Sequence, residues 1–135
     1  MSHPRTAIRQ AVKTALTGLP GVVSVLFTKT SPWSAAELPG ISISTLTDDL
    51  DKEADPVELR DLKLQVEIVV RDTGTDVDTT IDQIEAAAVA AIRADLALDA
   101  LVLDLAHEST AIEVESSGDQ PIGIGTMTWS MKYER

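Results

Sequence analysis

Between Asp61 and Arg71 apolar and polar side chains alternate: Leu62, Leu64, Val66, Ile68 and Val70 share one parity, while Asp61, Lys63, Gln65, Glu67 and Arg71 share the other. Successive side chains of a strand point to opposite faces, so the segment predicts a strand of about ten residues with one core face and one wet face. An antiparallel sheet tolerates that asymmetry, because one of its faces can stay in water.

The flanking segments supply what covers the core face. Ile8, Val12, Ala15, Leu16 and Leu19 recur at helical spacing from about Pro4 to Thr17, and Gly18 and Pro20 stop the pattern. Arg5, Arg9 and Lys13 form a second stripe on this helix, about 100° from the apolar one and expected to face out. A second helix is predicted from Val77 to about Ala94, where Val77, Ile81, Ile84, Ala88, Ala91 and Ile92 repeat and Asp76, Asp78 and Asp82 crowd the first turns.

Further strands are predicted at Val22–Phe27, at Ile41–Leu46 with Ile41, Ile43 and Thr45 on one side, and at Ile122–Tyr133. The first two suit a hairpin-like pairing. Residues 95–105 fit helix or strand, and are assigned a short turn followed by a strand that runs on through Thr110, Ile112 and Val114. In the last strand the apolar phase slips near Gly125, which a bulge at Gly123 or Gly125 would explain. Residues 47–57, with Asp48, Asp49, Asp51, Glu53 and Asp55 around Lys52 and Pro56, read as a long exposed loop. The order α-β-β-β-α-β-β predicts one α+β domain over residues 1–135, with two main helices on a mostly antiparallel sheet.

Composition narrows the chemistry. The absence of cysteine removes disulfides, thiolate metal sites and cysteine nucleophiles, and permits a reducing compartment. Aromatics at 3% leave little for stacking on bases or sugars. A net charge of −11 repels nucleic acid and anionic membranes, and neither a membrane-spanning run nor a signal-peptide pattern is present, so a soluble, unexported product is expected. The charge is uneven: Arg5, Arg9, Lys13 and Lys29 precede every acid, and the other seven basic residues share the remainder with all 22 acids. A basic first helix on an acidic body lets one copy attract the next.

Candidate sites are few. His3 stands in a terminus expected to be disordered, and His107 beside Asp104, Glu108 and Ser109 lacks a nucleophile elbow and is read as a surface or hydrogen-bonded histidine. The acidic run lacks the central glycine and closing glutamate of a calcium loop, and reads as a solvated charge run. Gly123-x-Gly125 lacks the third glycine of a dinucleotide fingerprint and lies within a strand. Trp33 serves either as an interface anchor or as cover for the core edge. Arg5, Arg9 and Lys13 face either an acidic neighbour or DNA phosphates, or form an ordinary solvated stripe. Trp129 and Tyr133, sharing a strand face with Met127 and Met131, read as sheet packing. No catalytic, cofactor or metal site is assigned.

The N-terminal helix from His3 to Leu16, LPGISIST (38–45) entering a strand, an acidic segment, RDLKLQVEIVVRD (60–72), an alanine-rich helix and a closing GTMTWSMKYER (125–135) together resemble bacteriophage tail terminator proteins of the minor tail protein U type. The resemblance covers nearly the whole chain and rests on order, length and pattern. It implies a non-enzymatic virion protein that forms a hexameric ring at the head-proximal end of a long tail. Such a ring stops tube polymerisation and meets the tail tube protein and the head-tail connector protein, without sequence-specific nucleic acid binding or a membrane. It implies a place in the virion, and in the host cytoplasm during assembly. A closed ring needs two unlike patches. On this reading Arg5, Arg9 and Lys13 face Asp48, Asp49, Asp51 and Glu53 of a neighbour, while the loops around Trp33 and Asp51 meet tube or connector. The same pattern fits other neck or head-tail completion proteins and, from a different class, a dimeric α+β domain that binds a small molecule.

Overall fold

The computed structural model describes residues 3–54, 57–71, 76–115 and 122–135, with the side chains of these residues other than 51–54 and 115. The alternating segment is the middle of strand β3 (Val57–Arg71), and Leu62, Leu64, Val66 and Ile68 on its apolar side are fully buried. Strand β2 (Gly40–Ala54) and strand β5 (Ile122–Glu134) flank it antiparallel, with Ile43 opposite Val66 and Leu64 opposite Trp129. Strand β4 (Asp104–Glu115) pairs antiparallel with β5, and the short strand β1 (Ser24–Phe27) pairs with β2, giving the order β1-β2-β3-β5-β4.

Among the described residues the α-helices lie on one face of this sheet. Helix α1 (Pro4–Leu16) starts on His3, whose Nδ1 accepts the Arg5 backbone N–H at 3.0 Å, with Pro4 in the first turn where its missing N–H costs nothing. It ends at Thr17, and Gly18 follows at φ +89°, a conformation glycine adopts without strain. Helix α2 (Val77–Ala94) is capped by Asp76, which accepts from the backbone N–H groups of Asp78 and Thr79. Those bonds, led by the Thr79 hydroxyl, hold the Asp76 carboxyl below the ordinary carboxylate range. Ile8, Val12 and Leu16 of α1 and Ile81, Ile84, Ala88 and Ile92 of α2 join the sheet residues in one core, which also encloses Met127, Trp129, Met131 and Tyr133.

Five local expectations are corrected. β1 runs parallel to β2, so no hairpin joins them. Residues 95–105 hold a further helix, α3 (Leu96–Leu101), because the Asp95 carboxylate accepts the Leu98 backbone N–H at 2.7 Å and Leu98 is buried. β5 pairs with β3 in unbroken register from Ile122 to Glu134, so neither Gly123 nor Gly125 is a bulge. Both glycines point at α2 instead: a Cβ on Gly123 would lie 2.0 Å from Val77 Cγ1, and one on Gly125 2.7 Å from Ile81 Cγ2. The apparent slip of phase is thus an unbroken strand stripped of side chains where a helix presses on it. Residues 47–54 are not a loop but the outer half of β2, paired through Ala54 opposite Val57. His3, finally, is an ordered helix cap. The acidic side chains of Asp51, Glu53 and Asp55, the break at 73–75 and the turn at 116–121 lie outside the described residues.

Candidate assembly surfaces

The bulge between Thr45 and Thr47 sets Asp48 opposite Leu62, on the helix side of the sheet. Its side chain is 1% exposed, and three groups converge on it. Arg60 Nε donates to Oδ1 at 3.0 Å, Arg5 Nη1 donates to Oδ2 at 3.2 Å, and the Tyr133 hydroxyl donates to Oδ2. Arg60 Nη2 also reaches the Asp48 carbonyl oxygen at 2.8 Å. Burial pushes the Asp48 carboxyl up, but the bonds from Tyr133 and Arg60 outweigh it and hold the group below the ordinary carboxylate range. Burial, and then the bond to Asp48, push the Tyr133 phenol up to about 12. The junction ties the start of α1, the outer half of β2, β3 and the end of β5 together.

The basic stripe of α1 therefore does not stand out in solvent. Arg5 is held by Asp48 of its own chain, Arg9 Nη1 donates to Thr45 Oγ1 at 2.9 Å, and Lys13 Nζ sits 4.8 Å from the centre of the Phe27 ring. Arg9 and Lys13 overhang the β1–β2 edge, where Thr6, Arg9, Gln10, Phe27, Thr28 and Thr45 line an open cleft. Asp49, opposite Asp61, is exposed on the other side of the sheet.

Trp33 lies in the connection from β1 to β2, which folds across the face away from the helices. Its ring covers Gly40, where a Cβ would lie 2.4 Å from Cζ3, and Lys29 Nζ stands 5.6 Å from the ring centre. Lys29 also pairs with Glu37 at 3.3 Å, and Glu37 closes a box with Ser34 around a short 3-10 turn (Ala35–Glu37). Among the described residues the rest of that face bears no helix. It presents Ser44, Lys63, Gln65, Glu67, Ile122, Ile124, Thr126, Thr128 and Lys132 over the buried Ser42 and Ser130, with Lys63 bridging Glu108 at 2.9 Å and Asp61 at 3.3 Å and the Ser130 hydroxyl on Asp61 at 2.6 Å.

His107 is stacked on Trp129, ring centres 4.9 Å apart, and its Nε2 lies 2.9 Å from Thr110 Oγ1 and 3.1 Å from the Ser109 carbonyl oxygen. It sits at the β4 bulge between His107 and Ser109. Among the described residues no group of three His, Asp or Glu is placed to hold a metal ion, and no helix is long and apolar enough to cross a membrane.

No protein-family model matches this sequence, and no curated protein matches it either. The fold matches a chain from the virion of a native gene transfer agent (GTA) particle, with a TM-score of 0.51 and 13% identity over 97% of this chain and 94% of that one. The likeness is one of fold.

Sequence reasoning isolated Trp33 and the basic stripe but missed the Asp48 junction and the two strand edges. The alternation of Ile112 and Val114 is legible in the sequence, but their exposure on β4 is set by the fold.

Proposed function

We propose that this chain is a non-enzymatic structural protein of a long-tailed phage or prophage particle. Six copies form a ring at the head-proximal end of the tail tube, end tube polymerisation and offer the joining surface to the head connector. The chain is built into the virion after assembly in the host cytoplasm. The observation that carries the reading is the fold shared along nearly the whole of both chains with a virion component. The sheet face away from the helices supports it: in a ring with helices outward, its Ser, Thr, Lys, Gln and acidic side chains line the lumen, and a chain of net charge −11 passes DNA without holding it. Trp33 with its loop, and the acidic end of the β2–β3 hairpin around Asp49, Asp51 and Glu53, are the surfaces assigned to tube or connector. Arg9 and Lys13 serve the contact between copies, whereas Arg5 and Asp48 already satisfy each other within the chain.

Absolute mass by light scattering across concentration and salt, with negative-stain imaging of the protein alone and mixed with tail tubes, tests this. Sixfold rings, free or seated on tube ends, are expected. A closed, salt-independent dimer that never forms a ring or caps a tube would overturn the reading in favour of a small-molecule-binding domain. Rings that bind connectors and ignore tubes would make the chain a different neck protein.

A further inference from the structure

The two free edges of the sheet are complementary in direction, in apolar surface and in charge. β1 runs parallel to β2, whereas β4, two antiparallel steps beyond β3, runs opposite to it, so β4 of one copy laid beside β1 of the next pairs antiparallel. Following the register across the sheet, Thr110 is level with Phe27 and Ile112 with Val25. One step further, Val114 is level with Val23. Val25, Phe27, Thr110, Ile112 and Val114 point to the helix side, and Val23 stands exposed just before β1. Val23 (62%), Phe27 (39%), Ile112 (43%) and Val114 (56%) are large apolar side chains left exposed, two on each edge.

The helices carry the charge. α2 buries Val77, Ile81, Ile84, Ala88 and Ile92 on the sheet and has α1 on one side. Its right-handed turn, running opposite to β3, sends Asp78, Asp82 and Glu85 to the side away from α1, above β4. Val77, beside Asp78, touches Gly123, whose β4 partner is Val114. The same construction puts Arg9 and Lys13 above the β1–β2 edge. One edge is overhung by cations and the other by carboxylates.

We propose that a second copy of this chain is the occupant of each edge: β4 of one copy continues the sheet of the next at β1. Ile112 and Val114 then lie against Val23 and Phe27, and Asp78, Asp82 and Glu85 face Arg9 and Lys13 across the seam. This deepens the ring reading and rests on it. The contact is heterologous, so copies add head to tail until the ring closes, and the acids that answer the basic stripe come from α2 rather than from the 48–53 segment.

The chain has no cysteine, so Val23→Cys/Val114→Cys carries its only two thiols. Within one chain they are separated by four strand spacings, about 19 Å, beyond the reach of a short bis-maleimide. Treating this variant with that reagent should give a ladder of covalent oligomers ending at six, while each single variant stays monomeric on a denaturing gel. Lys13→Glu should slow the ladder about tenfold at low salt, and adding Asp82→Lys should restore it. Dimers from Val114→Cys alone would mean a two-fold contact of β4 with itself and overturn the proposal. Sixfold particles by light scattering without a ladder would overturn the edge pairing and leave the ring standing; neither ladder nor rings would overturn both.

Discussion

Tyr133 donates its hydroxyl to the carboxylate of Asp48, 85 positions earlier in the chain, and so fastens the end of β5 to the outer half of β2 across β3. Asp48 also anchors Arg5 and Arg60. Removing one partner of such a buried set strands the others, which costs more than the set contributes intact. Asp48→Ala should therefore lower unfolding free energy by about 3 kcal/mol, and Tyr133→Phe, which deletes one bond to a charged acceptor, by about 1.5 kcal/mol. Arg5→Ala, whose side chain is 37% exposed, should cost under about 1 kcal/mol. Urea titrations of the three variants give the order.

The same pair sets the pH limits of stability. Asp48 has a native pKa below its unfolded value, so its contribution is complete above about pH 4 and is lost as the pH falls through the native value. Tyr133 moves the other way. Its unfolded phenol ionises near pH 10 and its native one near 12, so the unfolded chain releases the proton first and stability drains between those values, by roughly 2 to 3 kcal/mol. Tyr133 is the sole tyrosine, so phenolate absorbance titrates it directly. A midpoint near 10 in the folded protein would contradict the burial described, and Tyr133→Phe should flatten the alkaline limb.

Gly123 is a packing requirement. A methyl there meets Val77 Cγ1 at 2.0 Å and Ile81 Cδ1 at 3.0 Å, so α2 must lift from the sheet. Gly123→Ala should destabilise by about 1 to 3 kcal/mol. Val77→Ala in the same chain removes the clashing atom, and the double variant should be more stable than the sum of the two single changes predicts.

Gly40→Ala tests the seat of Trp33. The new methyl would collide with the indole at 2.4 Å and with the Glu37 carbonyl oxygen at 2.8 Å, so the ring must leave the sheet. Trp33 is half-buried and Trp129 fully buried, and the variant should show red-shifted emission from Trp33. The difference should vanish against a Trp33→Phe background.

Periodicity carried most of this architecture. The parity of 62–70, the stripe of α1 and that of α2 each name the face that the structure buries, and the α+β order follows from them. What periodicity could not carry is what depends on distant partners. Asp48 looks like any acid of a charge run until a bulge in β2 turns it inward toward Tyr133 and Arg60. Gly123 and Gly125 look like a bulge because the pattern of a strand alone does not register Val77 and Ile81 pressing on it. The stripe Arg5, Arg9, Lys13 is visible on a helical wheel, but its neighbours Thr45 and Phe27 are set by how α1 crosses the sheet.

The last of the described strands is an interior one. β5 lies between β3 and β4, and its partner β3 leaves the ribosome some sixty residues earlier. Until β5 arrives, β3 and β4 each lack the strand that lies between them. The domain therefore closes in a late, long-range step, of the kind that slows folding and leaves apolar strand edges open to other chains in the meantime. On the proposed edge-to-edge assembly, recognition between nascent neighbours waits on the insertion of β5.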